Sequence, residues 1–160
     1  MRKNKRQINI NNVLLIIYDF DGVMTDNRVL LTEEGKEAVW INRGDGLAVE
    51  AIKELGIKQL IISSEINPVV GARARKLGIP FIISAKNKKM VLESYLTKKQ
   101  IPRQKVIFVG NDINDQEAMK FVGWPLAPAD ANVKIRKIAK IILNKKGGFG
   151  VVRELLEILK

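Results

Sequence analysis

A chain of 160 residues, of which 46% are hydrophobic, is long enough to bury one sizeable core, so a single domain is expected. The 28 Lys and Arg residues exceed the 17 Asp and Glu residues, which gives a net charge of +11, but they are spread along the chain and do not form one stripe. With few aromatic side chains among them, this distribution favours a solvated basic surface over a nucleic-acid groove. The positive field would still attract an anionic substrate such as a phosphate ester.

The chain contains neither Cys nor His. The absence of Cys excludes disulfides and is compatible with a reducing cytoplasm. The absence of His excludes Ser-His and Cys-His nucleophile pairs, and it excludes zinc sites built on His. Any chemistry must therefore use carboxylates, lysine, arginine, hydroxyl groups or a hard metal ion.

The first eleven residues begin with the basic stretch MRKNKRQ and are expected to form a loosely held tail before a domain that covers residues 12–160. The apolar run VLLIIY that follows is too short to span a membrane and ends in Asp. The polar residues in ININ do not fit the apolar centre of a signal peptide. We therefore expect a cytoplasmic protein without a membrane partner.

Apolar runs typical of buried strands alternate along the chain with helical patterns. The strand-like runs are VLLIIYDF, IKQLIISS, IPFIIS, KVIFVGND and AKIIL, and the helical patterns are GLAVEAIKELG, PVVGARARKLG, KKMVLESYLTKKQ and the closing VVRELLEILK. The first two helical patterns end in Gly56 and Gly78, as helix C-caps do. This alternation predicts an α/β fold with a Rossmann-like, doubly wound parallel sheet.

One segment departs from the alternation. RVLLTEEGKEAVWIN lies between the first strand and the first helix, and it carries two β-rich pieces around TEEGKE. Two such pieces around a short polar stretch containing Gly indicate a β-hairpin insertion and not a crossover helix.

Polar residues follow the carboxyl ends of three predicted strands, which in a parallel sheet meet at one edge. They are Asp19 and Asp21 after the first strand, Ser63, Ser64 and Glu65 after the second, and Asn111, Asp112 and Asp115 after the fourth. Oxygen ligands without His form the kind of set that Mg²⁺ prefers. We therefore expect a candidate metal and catalytic site at this edge.

Carboxylates at this edge are suited to phosphoryl chemistry. Asp19 could attack phosphorus and form an aspartyl-phosphate, while Asp21 protonates the leaving alcohol and later activates water. Ser63 offers a hydroxyl and Lys88, at the start of a helix, offers the positive charge that a phosphate requires. Each motif alone could be an ordinary turn or cap, but their joint occurrence at strand ends favours catalysis.

These motifs resemble those of the haloacid dehalogenase superfamily of phosphotransferases. DFDGVMTD resembles the first motif, IIS at 61–63 the second, Lys88 the third and GNDIND at 110–115 the fourth. The short chain, with a hairpin and no cap domain, is similar to the capless branch of this superfamily. That branch contains 3-deoxy-manno-octulosonate 8-phosphate phosphatases, 2-keto-3-deoxynononate 9-phosphate phosphatases and the C-terminal domain of CMP-sialic acid synthetases.

The resemblance implies a role for each motif. Asp19 would be nucleophile and Mg²⁺ ligand, Asp21 would be the acid-base residue with its backbone carbonyl on the metal, and Ser63 and Lys88 would hold the phosphoryl group. Lys89 is the alternative to Lys88 when residues are counted forward from Glu65.

The third metal ligand has two candidates. The family usually has Asp where this chain has Asn111, which can bind Mg²⁺ through its amide oxygen but lacks a unit of charge. Asp112 could compensate for that loss. Asn at this place is also found in the synthetase domains, which favours a weakly active tetramerisation module as one alternative function.

Residues after the second motif distinguish the substrates of this branch. Octulosonate phosphatases typically have Thr-Gly-Arg there, whereas Glu65 followed by Arg73 and Lys76 is similar to the nononate phosphatases. Arg73 and Lys76 share a helix face suited to a substrate carboxylate, or they form a solvated face. The leading hypothesis is a phosphatase of 2-keto-3-deoxynononate 9-phosphate or a related sialic-acid 9-phosphate, and the alternative substrate is 3-deoxy-manno-octulosonate 8-phosphate.

The family is tetrameric, so the resemblance also implies a homotetramer in which neighbouring subunits cover the site. The segment GGFG, with Gly147, Gly148 and Gly150, would then approach an adjacent subunit's site. Its other interpretation is a flexible turn between a strand and a helix.

Overall fold

The computed structural model of this chain describes residues 7–160. Its strands are β1 Leu15–Tyr18, β2 Leu30–Leu31, β3 Glu37–Ala38, β4 Lys58–Ile62, β5 Phe81–Ile82, β6 Val106–Val109, β7 Trp124–Ala127 and β8 Ile141–Ile142. Its α-helices are α1 Arg43–Glu54, α2 Pro68–Leu77, α3 Lys88–Lys99, α4 Gln116–Phe121, α5 Val133–Ile138 and α6 Val151–Ile158. None of the helices within residues 7–160 is both long and apolar enough to span a membrane.

Six strands form one parallel sheet in the order β5-β4-β1-β6-β7-β8, and β2 pairs with β3 in a separate antiparallel hairpin. This confirms the predicted Rossmann-like α/β fold and its hairpin insertion. The chain runs outward from β1 in one direction through β4 and β5, and in the other through β6 to β8. The strand order therefore reverses between β1 and β6, and a crevice at the carboxyl ends of these strands is where such sheets bind ligands.

Helices cover both faces of the sheet. Ile16 and Tyr18 of β1 belong to one hydrophobic cluster, which includes residues of α1, α2 and α6, while Leu15 and Ile17 belong to a second cluster with α3, α4 and α5. Successive side chains of a strand point to opposite faces. Burial on both faces explains why β1 is an unbroken apolar run in the sequence.

Strand β7 and the two short helices α4 and α5 were not among the predicted elements. The strand is only four residues long, WPLA, and Pro125 lies within it. Proline lacks a backbone N–H and usually argues against a strand inside a sheet. β7 lies between β6 and β8, so the sheet has six strands where the sequence predicts five.

The N-terminal segment differs from the predicted loose tail. Ile8 is fully buried and forms a parallel bridge with Leu159. Its N–H donates to the carbonyl of Ile158 at 2.8 Å, and its own carbonyl accepts from Lys160 at 2.9 Å. Ile8 and Ile10 are therefore bonded to the residues at and after the end of α6, and residues 1–6 of the predicted tail lie outside the described residues.

Asp45 fastens the first turn of α1 to the N-terminal turn of α6. Its side chain is buried, and Oδ1 accepts a hydrogen bond from the backbone N–H of Arg153 at 3.0 Å. Oδ2 has no hydrogen-bond partner within residues 7–160. Burial raises the pKa of Asp45 to about 6, although hydrogen bonds from α6 and the positive charge of Arg73 act in the opposite direction. Its charged form is therefore costly to bury.

We expect Asp45→Asn to change how stability depends on pH. The folded-state pKa is raised above the ordinary 3.8, so the stabilisation from the bound proton is complete below about pH 4 and is lost as pH rises through about 6. At about 1.4 kcal/mol per pKa unit, the wild type loses up to about 3 kcal/mol over this range. Asn keeps the oxygen that accepts from Arg153 but cannot ionise.

The free energy of unfolding in urea, measured for both proteins at about pH 4 and about pH 7, tests this prediction. The free energy of unfolding of the variant minus that of the wild type should be more positive at about pH 7 than at about pH 4. A difference that is the same at both pH values would contradict the raised pKa of Asp45.

Candidate active site

Lys88 lies at the centre of the carboxyl edge of the sheet. It is the first residue of α3, its side chain is buried, and Nζ lies 2.7 Å from Oδ1 of Asp19 and 2.7 Å from Oδ1 of Asp115. Burial alone would lower the pKa of Lys88, but the charges and hydrogen bonds of the two carboxylates outweigh it and raise the pKa. Lys89 instead lies over the ring of Phe121, 5.8 Å from its centroid. The structure thus brings Lys88, and not Lys89, to the site.

Asp19 follows β1 and is held at the edge by its own backbone. Its N–H donates to the carbonyl of Val109 at 2.9 Å, and its Oδ1 accepts from Lys88 and from the N–H of Phe20 at 2.8 Å. Both side-chain bonds end on Oδ1, so a nucleophilic role would fall to Oδ2. Burial and then the charge of Asp115 raise the pKa of Asp19 to about 7, against the lowering effect of Lys88. A further cation nearby would favour the ionised form.

Asp21, two residues after Asp19, is half-buried. Burial and then the negative charge of Glu65 raise its pKa, while the hydroxyl of Thr25, 3.5 Å from Oδ1, acts in the opposite direction. A carboxyl group with a raised pKa retains its proton more readily near neutral pH, which suits a general acid.

Asp115 was predicted at this edge from the sequence, but without an individual role. It is fully buried, and while Oδ1 holds Lys88, Oδ2 accepts from the backbone N–H groups of Asn111 at 2.9 Å and Asp112 at 3.3 Å. It therefore fixes both the lysine and the loop after β6. Its position three residues after Asp112 is typical of a helix cap, so the sequence alone gave a structural reason for an acidic residue there.

Asn111 and Asp112 differ in what their side chains face. The amide oxygen Oδ1 of Asn111 is buried and has no hydrogen-bond partner in the described part of the chain. Asp112 is exposed, and its Oδ1 accepts from the N–H of Ile113 at 2.7 Å and from Asn132 at 3.3 Å. The side chain of Asp112 thus caps the turn that follows, whereas Asn111 has an oxygen that is free for a metal, and which of the two binds the metal stays a prediction.

The donor set at this edge fits a hard metal ion. Within residues 7–160 no three acidic side chains are grouped so that they could hold a metal. The set would consist of the Asp19 carboxylate, the free amide oxygen of Asn111 and a backbone carbonyl such as that of Asp21. Oxygen donors of this kind suit Mg²⁺, and the unpartnered amide oxygen is the observation in their favour.

Ser63 lies at the end of β4, beside β1. It is buried, its N–H donates to the carbonyl of Ile82 at 2.9 Å, and its hydroxyl oxygen accepts from the N–H of Glu65 at 3.1 Å. In the parallel register Tyr18 is opposite Ile61, so Ser63 reaches the same edge as the residues after β1.

A pocket of about 190 Å³ opens between the hairpin and the start of α2. Its polar lining comes from Asp21, Asn27, Glu37, Glu65 and Asn67, and the carboxylate of Glu37 accepts a hydrogen bond from the amide of Asn67. Glu65 thus lines the same pocket as the candidate acid Asp21.

Arg73 and Lys76 do not line this pocket. Arg73 lies against α1, where its Nη2 donates to the carbonyl of Asn42 at 3.2 Å and its charge interacts with Asp45. Lys76 is exposed on α2. The structure therefore does not bring them to the chain's own pocket, because α2 packs Arg73 against a neighbouring helix, and their role in reading the substrate stays a prediction.

Known proteins resemble the chain in sequence and in fold. A family model for haloacid dehalogenase-like hydrolases matches residues 58–155. The 3-deoxy-D-manno-octulosonate 8-phosphate phosphatase of Yersinia pestis is 30% identical over 149 residues, 92% of this chain and 80% of that protein. The enzyme of that name from Escherichia coli K12 is 31% identical, with 92% and 79% covered.

Solved structures of haloacid dehalogenase (HAD) family proteins also resemble the chain. A HAD family hydrolase from Streptomyces avermitilis superposes with a TM-score of 0.94 and 38% identity, with 98% of this chain and 96% of that chain covered. The octulosonate 8-phosphate phosphatase of Moraxella catarrhalis, solved with magnesium, phosphate and the sugar acid, gives a TM-score of 0.89 and 29% identity, with 92% and 86% covered. The chain therefore belongs to the haloacid dehalogenase-like hydrolases, in their capless branch, and is a phosphoric monoester hydrolase.

Proposed function

We propose that this protein is a Mg²⁺-dependent phosphatase of a phosphorylated keto-sugar acid, with 3-deoxy-manno-octulosonate 8-phosphate as the first candidate substrate. The observation that carries the proposal is the buried contact of Lys88 with Asp19 and Asp115. This contact holds the carboxylate of Asp19 at the crevice where the strand order reverses between β1 and β6. The relatives that hydrolyse octulosonate 8-phosphate support the choice of substrate.

In this proposal Oδ2 of Asp19 attacks phosphorus, and the bond between phosphorus and the sugar oxygen breaks. Asp21 gives its proton to that oxygen, so the sugar leaves as an alcohol and Asp19 carries the phosphoryl group. Asp21 then takes a proton from water as the water attacks phosphorus, which releases phosphate and restores Asp19. The raised pKa of Asp21 fits both proton transfers.

Lys88 and Ser63 hold the phosphoryl oxygens in this scheme. Two of the three N–H donors of Lys88 are used by Asp19 and Asp115, which leaves one for the substrate. Bound Mg²⁺, on Asp19, Asn111 and the Asp21 carbonyl, would supply positive charge for the phosphoryl group and offset the repulsion among the carboxylates.

Asn111→Asp is expected to strengthen Mg²⁺ binding, because it adds a negative charge at the buried oxygen that has no partner. The Mg²⁺ concentration that gives half-maximal phosphate release should fall, by about tenfold or more. Isothermal titration with Mg²⁺ alone gives the same comparison without substrate. An unchanged affinity would show that residue 111 does not contact the metal.

The substrate is a choice between two sugar acids. The alternative derived from the sequence, octulosonate 8-phosphate, has the better support from the relatives, and the chain's own Arg73 and Lys76 lie outside the pocket. A nononate or sialic-acid 9-phosphate is the second candidate, favoured by Glu65 in the pocket lining. Phosphate release from eight-carbon and nine-carbon keto-sugar acid phosphates, compared by kcat/KM with Mg²⁺ present, tests the proposal. No release from either class would refute it.

We also propose a homotetramer that works in the cytoplasm. The hairpin region exposes large apolar side chains, and Leu30, Leu31 and Trp40 are 68%, 65% and 75% exposed. Exposed apolar groups of this size are typical of a surface that another subunit covers. Light scattering should give about four times the 18.0 kDa chain mass, and a monomer would contradict the proposal.

A further inference from the structure

The segment of residues 144–150, here called the glycine segment, packs against the loop of residues 20–26 that carries Asp21. A Cβ atom on Gly147 would overlap with the carbonyl oxygen of Gly22 and would lie 3.0 Å from the carbonyl oxygen of Thr25. The N–H of Gly148 donates to the carbonyl of Val23 at 3.0 Å. The glycine segment therefore contacts the catalytic loop of its own chain, backbone against backbone.

The glycine segment is itself held in place by two acidic side chains. Glu154 of α6 is buried, and its carboxylate accepts from the N–H groups of Asn144 at 2.8 Å and Lys145 at 2.7 Å. Asp130 accepts from the N–H of Gly147 through Oδ1 at 2.9 Å. These bonds fix the backbone N–H groups of three residues in the first half of the segment, so this half is a firmly held support.

The residues that the glycine segment contacts are those that hold Asp21. The buried hydroxyl oxygen of Thr25 accepts from the N–H of Gly22 at 3.2 Å and lies 3.5 Å from Oδ1 of Asp21. On its other side Gly22 lies against Asn111, whose amide would overlap with a Cβ at that position. The backbone at Gly22 is thus enclosed between Asn111 and Gly147, and it cannot shift without moving the groups around it.

We propose that Gly147 and Asp130 are positioning residues for the proton transfer by Asp21, an inference that rests on the proposed phosphatase function. Gly147 is not among the glycines with a positive φ, so its lack of a side chain is required by the close approach to Gly22 and not by the backbone conformation. Asp130 fixes that approach through the N–H of Gly147. Displacing the segment would shift Gly22 and Thr25, and with them the carboxyl group of Asp21.

Two substrates with different leaving groups separate positioning of Asp21 from a general loss of structure. A sugar phosphate releases an alkoxide that needs a proton from Asp21, whereas p-nitrophenyl phosphate releases a stable phenolate that does not. For Gly147→Ala we expect kcat/KM to fall about a hundredfold on the sugar phosphate and less than about threefold on p-nitrophenyl phosphate. The comparison uses kcat/KM because it reports the transfer of the phosphoryl group to Asp19, which precedes the activation of water by Asp21 and differs between the two leaving groups. Substrate binding should change little, because Lys88 and Ser63 are not displaced.

Asp130 provides a second pair of variants in case Gly147→Ala does not fold. Asp130→Ala removes the acceptor for Gly147 and should give the same selective loss, whereas Asp130→Asn keeps an oxygen there and should restore turnover on the sugar phosphate. Gly56→Ala is the matched control, because Gly56 has a φ of 76° with no atom near its Cβ position. This control can lose stability but should not change the ratio of the two activities.

Equal losses of kcat/KM on both substrates in Gly147→Ala and Asp130→Ala would overturn the inference while leaving the phosphatase function intact. A wild type that releases no phosphate from either substrate with Mg²⁺ present would refute the proposed function, and the inference with it. The wild-type measurement therefore tells the two failures apart.

Discussion

Asp19→Asn is expected to lower Mg²⁺-dependent phosphate release by at least about a thousandfold, because an amide cannot replace the carboxylate as nucleophile. Asn has nearly the same shape, and it keeps the oxygen that accepts from Lys88 and from the N–H of Phe20. The variant should therefore fold, and the loss should appear in kcat. Single-turnover phosphate release, with unfolding in urea as a check on the fold, measures both.

Asp112→Asn is the matched control for this experiment. It removes the same charge from the same edge of the sheet, but its side chain is exposed and keeps the oxygen that caps Ile113. Activity close to that of the wild type is expected. A loss of activity as large as that of Asp19→Asn would place Asp112 on the metal. Phosphate release by Asp19→Asn at the wild-type rate would refute the role of Asp19 as the nucleophile.

The sheet and its catalytic edge could be predicted because they depend on local patterns. β1 is buried on both faces, so its residues are continuously apolar, and the carboxyl groups that follow it stand at a place that topology makes the binding edge. Asp19, Asp21 and Ser63 were predicted at this edge for this reason, and the structure places all three there. Strand β7 escaped prediction because Pro125 interrupts a run of only four residues.

Other features depend on contacts between distant parts of the chain. Asp115 forms an ion pair with Lys88, and Ile8 pairs with Leu159 at the far end of the sequence. No local sequence pattern predicts either contact. Arg73 has the right charge and spacing for a substrate carboxylate, but the spacing does not say which neighbour a helix face meets. In the fold that neighbour is the start of α1, where the guanidinium of Arg73 donates to the carbonyl of Asn42 and interacts with the charge of Asp45.

Lys88→Met is expected to lower the free energy of unfolding by about 3–5 kcal/mol at neutral pH and to abolish phosphate release. Met is similar in length and apolar, so the variant removes the charge with little change in volume. Asp19 and Asp115 would then be buried together without a cation, and this uncompensated repulsion is the source of the cost. Asp19, whose pKa is already raised in the wild type, responds by retaining its proton, so the loss should grow as pH rises.

Lys89→Met provides the control, because Lys89 is next in the chain and contacts only the ring face of Phe121 among the described aromatic residues. Lys89→Met should lower the free energy of unfolding by no more than about 1 kcal/mol. Unfolding in urea, with and without Mg²⁺, distinguishes lost charge from lost packing. If the missing charge is the cause, Mg²⁺ bound beside Asp19 should recover part of the stability of Lys88→Met. A deficit that Mg²⁺ does not reduce, or one no larger than that of Lys89→Met, would contradict the electrostatic role of Lys88.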